Sequence, residues 1–483
     1  MAKLDPDFSK TLDAAFTQAV NHLESLDQTS VAATAGLATL RARINRPLAR
    51  TGVAPEQVIQ ELNADVAGGL LGSAGGRFFG WVIGGTLPAA VGADWLTSVW
   101  QQNSALYACS PAAAVVEETV GVWLKEILGL PPEASFALVT GCQMAHVTCL
   151  AAARHALLSQ RGWDVESQGM FGAPAIRILS STECHGSFER AVRLLGFGQS
   201  QVKLLPADDQ GRLIPEALED ELRKDVAAPT LVLLQAGDIN IGAYDEFEKL
   251  IPIAKRYGAW VHVDGAFGLW AGASPRFRHL VKGIEAADSW ATDGHKWLNV
   301  PFDSGFAFVA DMEAHRSSLS IRASYLTHAS DARDQVDWNP EWSRRARGFP
   351  AYAALRQLGR DGVAELVERC CRHAHSLTTR IGALSGAEVL WEPTINQGLV
   401  RFLDPQPDSS LSDGLPPAEE AHDRRTDEVI AAILKTGEAF FGGTTWRGRR
   451  AMRISVTNWR TTDADVDRVV QAVASVLGAS RES

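Results

Sequence analysis

Lys296 is the first residue whose surroundings suggest chemistry. It lies in the stretch DSWATDGHKWLNVPFDSG, with His295 before it and Trp297 and Leu298 after it. A lysine that such neighbours shield from water has a lowered pKa, and its amine can then form a Schiff base with a carbonyl compound. The alternative is a surface lysine whose stem packs on the protein while its ammonium stays in water.

Asp264 is the second candidate, because it ends the otherwise apolar run WVHVD. A carboxylate buried at the end of a strand is costly unless it meets a cation. It could therefore keep the nitrogen of a heterocyclic ring protonated. A helix cap or a structural ion pair is the alternative interpretation.

Two further signals come earlier in the chain. His185, in STECHGSFERAVRLLG, follows a predicted strand on a loop, where an imidazole can stack on a flat ring. Gly141, in VTGCQMAHVTCLAAAR, makes a turn between a strand and a helix, and a helix N-terminus offers N–H groups to a phosphate. An ordinary turn and a histidine bonded to the backbone remain open for these two residues.

A phosphate cradle, an imidazole, a carboxylate and an amine are together what pyridoxal 5'-phosphate (PLP) requires. The chain resembles the group II PLP-dependent decarboxylases, which include glutamate and aromatic-L-amino-acid decarboxylases. The resemblance is strongest in the segments HGSFERA, HVDGAFG and DGHKW, and it extends to RFFGWV, SPAAAVVEE and ASYL.

The resemblance assigns a role to each candidate. It implies that Lys296 forms the Schiff base, that Asp264 pairs with the pyridinium nitrogen, and that His185 stacks on one face of the ring while Ala266 lies against the other. It also implies a phosphate-binding group, which consists of Gly141, Cys142, Gln143 and His295. A segment from Asp238 to Asn240 matches a family segment beside the cofactor.

The elements that position these residues follow from the hydrophobic pattern. Short apolar runs such as SFALVT, AIRILSS, PTLVLLQAG, AWVHVDGAF and SGFAFVA alternate with helical segments, which predicts an α/β fold with a mostly parallel, covered sheet. The resemblance implies an aspartate-aminotransferase-like fold with a smaller α+β domain at the C-terminus. We predict a helical arm for dimerisation over 1–110, a PLP-binding large domain over 111–347 and the small domain over 348–483.

Three features depart from the family pattern. The phosphate turn carries Cys142 and Gln143 where relatives usually have Ser or Thr, and Asp293-Gly294 stands where many have Asn-Pro. The loop after ASYL lacks the tyrosine that protonates the product carbon in typical relatives, since no tyrosine lies between Leu326 and Ala351. His328 and Gln335 are alternative donors between which the sequence does not choose.

Decarboxylation of an L-amino acid to its amine is the activity that the resemblance implies. The missing loop tyrosine leaves two alternatives open, which are oxidative deamination to an aldehyde and carbon–carbon lyase chemistry. A PLP-binding protein without catalytic activity is a third. Phe79 and Trp81 favour an apolar or aromatic substrate, while Arg347 could bind a substrate carboxylate or only a structural acid.

Composition limits the partners and the location. The 483 residues are 46% hydrophobic with a net charge of -11, which argues against nucleic acid and anionic membranes as partners. The six cysteines form no CxxC pair, and the opening residues lack an apolar signal-peptide core. We therefore expect a cytoplasmic protein without a metal site, and the resemblance implies a homodimer with the active site at its interface.

Overall fold

Strands and helices alternate through the middle of the chain in this computed structural model, which describes residues 8–321, 332–405 and 417–479. The larger sheet has 7 strands in the order β1-β7-β6-β5-β4-β2-β3. They are β1 (Ser135–Val139), β2 (Arg177–Ser181), β3 (Val202–Leu205), β4 (Thr230–Gln235), β5 (Trp260–Asp264), β6 (Ser289–Asp293) and β7 (Gly305–Val309). Only β7 runs antiparallel to its neighbours β1 and β6. The predicted α/β class with a mostly parallel sheet is confirmed.

Helices connect these strands and extend beyond them. They are α4 (Pro88–Trp100), α5 (Pro111–Leu128), α6 (Cys142–Ser159), α7 (Val165–Gln168), α8 (Gly186–Leu194), α9 (Pro215–Arg223), α10 (Phe247–Arg256), α11 (Met312–Leu319) and α12 (Gly348–Gly382). Local chemistry sets the bounds of α5, because Ser110 caps it, proline follows at the first helical position and Gly129 ends it with φ 71°. α12 has a kink at Gly359, where φ is 62°.

A second, smaller sheet has 4 strands in the order β10-β11-β9-β8. The elements of this region and of the N-terminus are α1 (Phe8–Ser25), α2 (Leu37–Ile44), α3 (Pro55–Val66), β8 (Ala387–Trp391), β9 (Gln397–Phe402), α13 (Pro417–Thr436), β10 (Gly442–Trp446), β11 (Arg449–Ser455) and α14 (Asp463–Ala479). The smaller α+β region predicted for the C-terminal part is confirmed. None of the described helices is long and apolar enough to cross a membrane.

The chain divides into two compact units. One comprises Met1–Ile83, Ser376–Glu392 and Leu399–Ser483, and the other comprises Gly84–His375 and Pro393–Gly398. The N-terminal helices thus share a unit with the C-terminal elements, whereas the sequence-based division places 1–110 and 348–483 in separate segments.

Some elements differ from the sequence-based expectation. The strands β3, β6, β8 and β10 were not predicted, because their segments VKLL, SWATD, AEVLW and GGTTW contain no long apolar run. The Pro- and Ser-rich composition of the stretch DPQPDSSLSDGLPPAEEAHD predicts a surface loop. That expectation is wrong for its end, since α13 already begins at Pro417, while 406–416 lie outside the described residues.

The register of the large sheet brings polar strand ends together. Gln235 pairs with Asp264, and Asp293 pairs with Gly305. Because β4, β5 and β6 are parallel, their carboxyl ends meet at one edge of the sheet. Ligands bind at this edge in open α/β sheets.

Candidate active site

A cavity of about 350 Å³ lies at the carboxyl ends of the strands β1, β4, β5 and β6. All eight residues predicted to bind the cofactor line it, and they are Gly141, Cys142, Gln143, His185, Asp264, Ala266, His295 and Lys296. Further lining residues include Gln235, Phe267 and Asp293. The cavity is therefore formed within the larger unit, and its volume is within the range of about 300–1,000 Å³ of small-molecule sites.

Lys296 is held by a carboxylate that the sequence analysis did not assign. Its Nζ lies 3.1 Å from Asp293 Oδ2, and its side chain is 20% exposed. Burial would lower the pKa of Lys296, but the charges of Asp293 and Asp264 outweigh burial and raise it. The expectation of a lowered pKa is therefore wrong, because it did not include the acids that lie beside this amine.

Asp293 contacts three residues that line the cavity. Besides Lys296, it accepts the backbone N–H of Cys142 at 2.6 Å, and its Oδ1 lies 3.4 Å from His295 Nε2. His295 Nδ1 accepts the N–H of Ser304 at 3.2 Å, so the ring proton lies on Nε2 and points to Asp293. Burial lowers the pKa of His295 although Asp293 opposes the shift, which favours a neutral imidazole.

The backbone around Lys296 is closely packed. Gly84 N donates to the carbonyl oxygen of His295 at 3.3 Å, and a Cβ at Gly84 would lie 1.8 Å from the carbonyl oxygen of Lys296. On the other side of the turn, Asn299 N donates to that same Lys296 oxygen at 3.2 Å. Glycine is thus required at position 84 by a close approach to the lysine.

Asp264 receives donors at both carboxylate oxygens. Ala266 N donates to Oδ1 at 3.1 Å, the Cys142 thiol lies 3.8 Å from Oδ1, and His146 Nε2 lies 3.4 Å from Oδ2. Burial would raise the pKa of this carboxyl, but His146, His185 and Lys296 outweigh burial and lower the pKa well below its ordinary range. The carboxyl is therefore an anion facing the cavity.

His185 forms the N-cap of α8. Its Nδ1 accepts the N–H of Ser187 at 3.2 Å and lies 2.8 Å from Ser187 Oγ. Accepting at Nδ1 fixes the neutral tautomer with its proton on Nε2. The ring is thus oriented by its own helix at the rim of the cavity.

The turn at Gly141 is packed against a second glycine. A Cβ at Gly305 would lie 2.3 Å from the Cα of Gly141, so this contact excludes side chains at the start of β7. Helix α6 begins directly after the turn, at Cys142. Its N-terminus, with its positive dipole end, therefore faces the cavity.

The three residues suggested for the substrate do not line this cavity. Phe79 is fully buried against Phe441 in the smaller unit, and Trp81 of the same unit is 52% exposed. Arg347 pairs with Asp303 at 2.8 Å and with Glu341 at 3.7 Å. The buried Nη1 of Arg347 finds no partner among the described residues. The structural-acid interpretation of Arg347 is therefore the one that the contacts favour.

The alternative proton donors also lie away from the cavity or outside the described residues. Gln335 is 1% exposed, and its side-chain oxygen accepts from Arg333. Gln335 is thus a buried structural residue and not a solvent-facing proton donor. His328 and the segment ASYL lie outside the described residues.

Sequence reasoning missed four residues of the site, which are Asp293, His146, His262 and Ser187. A signal existed for Asp293, which ends a strand at the same edge as Asp264. His146 offered a weaker one, because it lies one helical turn after Cys142 on the helix that begins at the cavity.

The residues around the cavity fit PLP. An amine lies in a cavity whose wall also carries an ionised carboxylate, and a helix N-terminus and an oriented imidazole line the same space. The side chain of Lys296 is suited to the aldehyde, Asp264 to a cationic ring nitrogen and the N-terminus of α6 to a phosphate.

Comparisons with known proteins agree with this fit. Residues 40–403 match the model of the pyridoxal-dependent decarboxylase conserved domain. Over 466 residues, 95% of this chain and 92% of the relative, the sequence is 24% identical to an aromatic-L-amino-acid decarboxylase of Bacillus atrophaeus. It is 30% identical to an acidic amino acid decarboxylase of Bos taurus over 66% of this chain and 61% of that one. The crystal structure of Oryza sativa TDC with PLP and tryptamine superposes with a TM-score of 0.91 at 22% identity, and the match covers 99% of both chains.

Proposed function

The chain belongs to the pyridoxal-dependent decarboxylase family, and we propose that the cavity lined by Lys296 is where it decarboxylates an aromatic or apolar L-amino acid. The protein is a PLP-dependent carboxy-lyase of amino acids. PLP, when bound, supplies a ring that withdraws the electrons left on the α-carbon as CO2 departs. One observation supports this location of the site: Lys296 Nζ contacts Asp293 in a cavity that ionised Asp264 also lines.

Each residue of the cavity has a defined task in this proposal. Lys296 would hold PLP covalently through its side-chain amine. Its ammonium must first lose a proton, and Asp293 Oδ2 at 3.1 Å is the nearest acceptor. Asp264 would pair with the ring nitrogen and keep it cationic, which would strengthen the withdrawal of electrons. His185, oriented by Ser187, would pack against the ring.

The substrate class rests on two observations. A relative aligned over 95% of the chain, in Bacillus atrophaeus, is an aromatic-L-amino-acid decarboxylase. The arginine considered for an acidic substrate, Arg347, is instead engaged by Asp303 and Glu341. A substrate with an acidic side chain would therefore have no pairing with Arg347 for its side-chain carboxylate, and burying an unpaired charge is costly.

A panel of L-amino acids tests the reaction and the substrate class together. Aromatic, aliphatic and acidic amino acids are supplied to the PLP-loaded protein, and CO2, amine, aldehyde and ammonia are measured in parallel. We expect CO2 and amine in equal amounts from aromatic or apolar substrates. CO2 from glutamate, aspartate or cysteine sulfinate alone would contradict the substrate class, and aldehyde with ammonia in place of amine would contradict the non-oxidative reaction.

We also propose that the protein is a homodimer with N-terminal helices in its interface. The helices α1, α2 and α3 contain no buried residue within this chain. Large apolar side chains are exposed on them, among them Phe8, Leu12, Phe16, Leu37, Ile44, Val58 and Leu62. Exposed apolar area of this extent is typical of surfaces that associate.

Charged residues on α1 test the dimer. Leu12→Glu with Phe16→Glu should weaken association by at least about tenfold, because two carboxylates would have to be buried in an apolar contact. Light scattering over a concentration series measures the dissociation constant. Asn21→Glu is the matched control, since Asn21 is exposed on the same helix about half a turn away around its axis. A wild-type protein that is monomeric and fully active would contradict the proposal.

We also propose that the protein is cytoplasmic. All six cysteines are free thiols, and Cys142, Cys149, Cys370 and Cys371 are buried. Free thiols of this kind are typical of reducing compartments.

A further inference from the structure

A continuous line of hydrogen-bonding groups lies behind Asp264, away from the cavity. Trp260 Nε1 donates to Ser289 Oγ at 3.0 Å, and the same oxygen lies 2.9 Å from His262 Nδ1. His262 Nε2 lies 2.9 Å from His146 Nδ1, and His146 Nε2 lies 3.4 Å from Asp264 Oδ2. Both histidines and Ser289 are fully buried, so water does not compete for these contacts.

The secondary structure explains why these groups are aligned. Trp260, His262 and Asp264 alternate along β5, so their side chains leave the same face of the strand. Ser289 is the first residue of β6 and pairs with His262 in the register of the sheet. His146 comes from α6, which covers this face.

The donors in this line can be counted. Ionised Asp264 can only accept, so His146 carries its proton on Nε2 and its Nδ1 accepts from His262. The Ser289 hydroxyl accepts the indole N–H of Trp260 and donates its own hydrogen to His262 Nδ1. The proton of His262 then lies on Nε2 and is donated to His146 Nδ1. The opposite tautomers would place a nitrogen lone pair against the carboxylate.

His262 stays neutral, as this count requires. Burial, followed by the neighbouring His146, lowers the pKa of His262 to about 3. A neutral imidazole has one donor and one acceptor, so it transmits the orientation from Ser289 to His146.

A metal ion is the competing interpretation of the same place, because Cys142, His146 and Asp264 bring one ligand-type atom each within 4.8 Å of one another. The zinc content of the purified protein distinguishes the two interpretations. Burial, reinforced by the charges of Asp264 and Asp293, raises the pKa of Cys142 well above its ordinary value. In the hydrogen-bond line the protonated thiol is a weak donor that lies 3.8 Å from Asp264 Oδ1.

We propose that His146 is a positioning residue, which orients the Asp264 carboxylate and keeps it ionised toward the ring nitrogen of PLP, while His262 and Ser289 fix the tautomer that does so. The inference rests on the proposed role of Asp264. Residues that hold a reactive group through a second hydrogen bond typically change affinity or activity about 10–100-fold when they are replaced, as around metal ligands.

The test compares His146→Leu, His146→Gln and the control His315→Leu. His315 is an equally buried histidine of the same unit, and its ring lies 2.7 Å from Ser135 Oγ and 3.0 Å from the carbonyl oxygen of Trp338. Each PLP-loaded protein is titrated with acid and base while the visible absorbance of bound PLP is followed. The dissociation constant of PLP and the melting temperature of the apoprotein are measured beside it.

His146→Leu should weaken PLP binding about tenfold and move the midpoint of the absorbance titration by about one pH unit, because a donor to a charged group is lost. His146→Gln, whose amide can donate in place of Nε2, should recover most of both effects. His315→Leu should lower the melting temperature and leave affinity and titration unchanged. If His146→Leu does not fold, Ser289→Ala removes only one oxygen and should give a smaller shift of the same sign.

Different outcomes would overturn the role of His146 and the role of Asp264. One outcome would overturn the role of His146 and leave the proposed site intact. In it, His146→Leu changes neither the PLP affinity nor the midpoint of the absorbance titration, while Asp264→Asn changes both. Ser289→Ala takes the place of His146→Leu in this comparison if His146→Leu fails to fold. An unchanged absorbance in Asp264→Asn would overturn the role of Asp264 itself. Stoichiometric zinc in the purified protein, lost in Cys142→Ser, would replace the hydrogen-bond line by a metal site.

Discussion

Lys296→Ala is expected to abolish the covalent attachment of PLP. The visible absorbance of the bound cofactor should disappear, borohydride should leave no adduct, and decarboxylation should fall below detection. Lys296 is the one amine among the described residues that line the cavity, and it already lies 3.1 Å from an acceptor for its proton. No other nucleophile of this kind is available there to replace it.

Lys282→Ala is the matched control for this result. Lys282 belongs to the same unit and pairs with Glu248 at 2.9 Å, but its side chain is 70% exposed on the surface. The control should retain the absorbance and the activity of the wild type. A Lys296→Ala protein that still yields a borohydride-fixed PLP adduct would show that the attachment site is elsewhere.

Asp264→Asn should lower turnover by on the order of 100-fold or more while PLP stays bound. The amide cannot supply the negative charge that holds the ring nitrogen cationic, although it fills nearly the same volume. The loss should therefore appear in kcat more than in the affinity for PLP. Steady-state kinetics with the best substrate of the panel, together with the cofactor content, measure both.

Asp245→Asn separates this effect from the loss of a buried acid in general. Asp245 is buried at 4% exposure and accepts the backbone N–H groups of Leu213 and Gln235, each at 2.7 Å. Its replacement should reduce stability and leave turnover within a few-fold of wild type. Equal losses of turnover in the two variants would mean that Asp264 contributes only to folding.

The sequence was sufficient for the parts of the site that carry their own pattern. Asp264 and Lys296 stand out because a charge ends or interrupts apolar surroundings, and a strand followed by a glycine turn and a helix identifies Gly141. The strands of the large sheet with continuous apolar runs were found for the same reason. β6 was missed because its SWATD segment buries Ser289, Thr292 and Asp293 among hydrogen bonds instead of apolar contacts.

The remaining features depend on distances between segments that are far apart in the chain. His146 and His262 are 116 positions apart, and nothing in either segment indicates that their rings meet. The direction of the pKa shift of Lys296 was missed for a related reason. The sign of this shift depends on which acids lie near Nζ, and the sequence alone does not place Asp293 there.

The close packing of Gly84 on the turn of Lys296 determines which part of the lysine can move. The carbonyl oxygen of Lys296 receives Asn299 N, and the neighbouring carbonyl of His295 receives Gly84 N. The peptide at the lysine therefore cannot swing without breaking hydrogen bonds on both sides. Every displacement of Nζ during a catalytic cycle must come from rotation about the bonds of the side chain, whose staggered rotamers form a small set. The amine can therefore occupy only a few discrete positions relative to a fixed backbone. This small number of positions favours the rapid return of Lys296 Nζ to the carbon atom through which it would hold PLP.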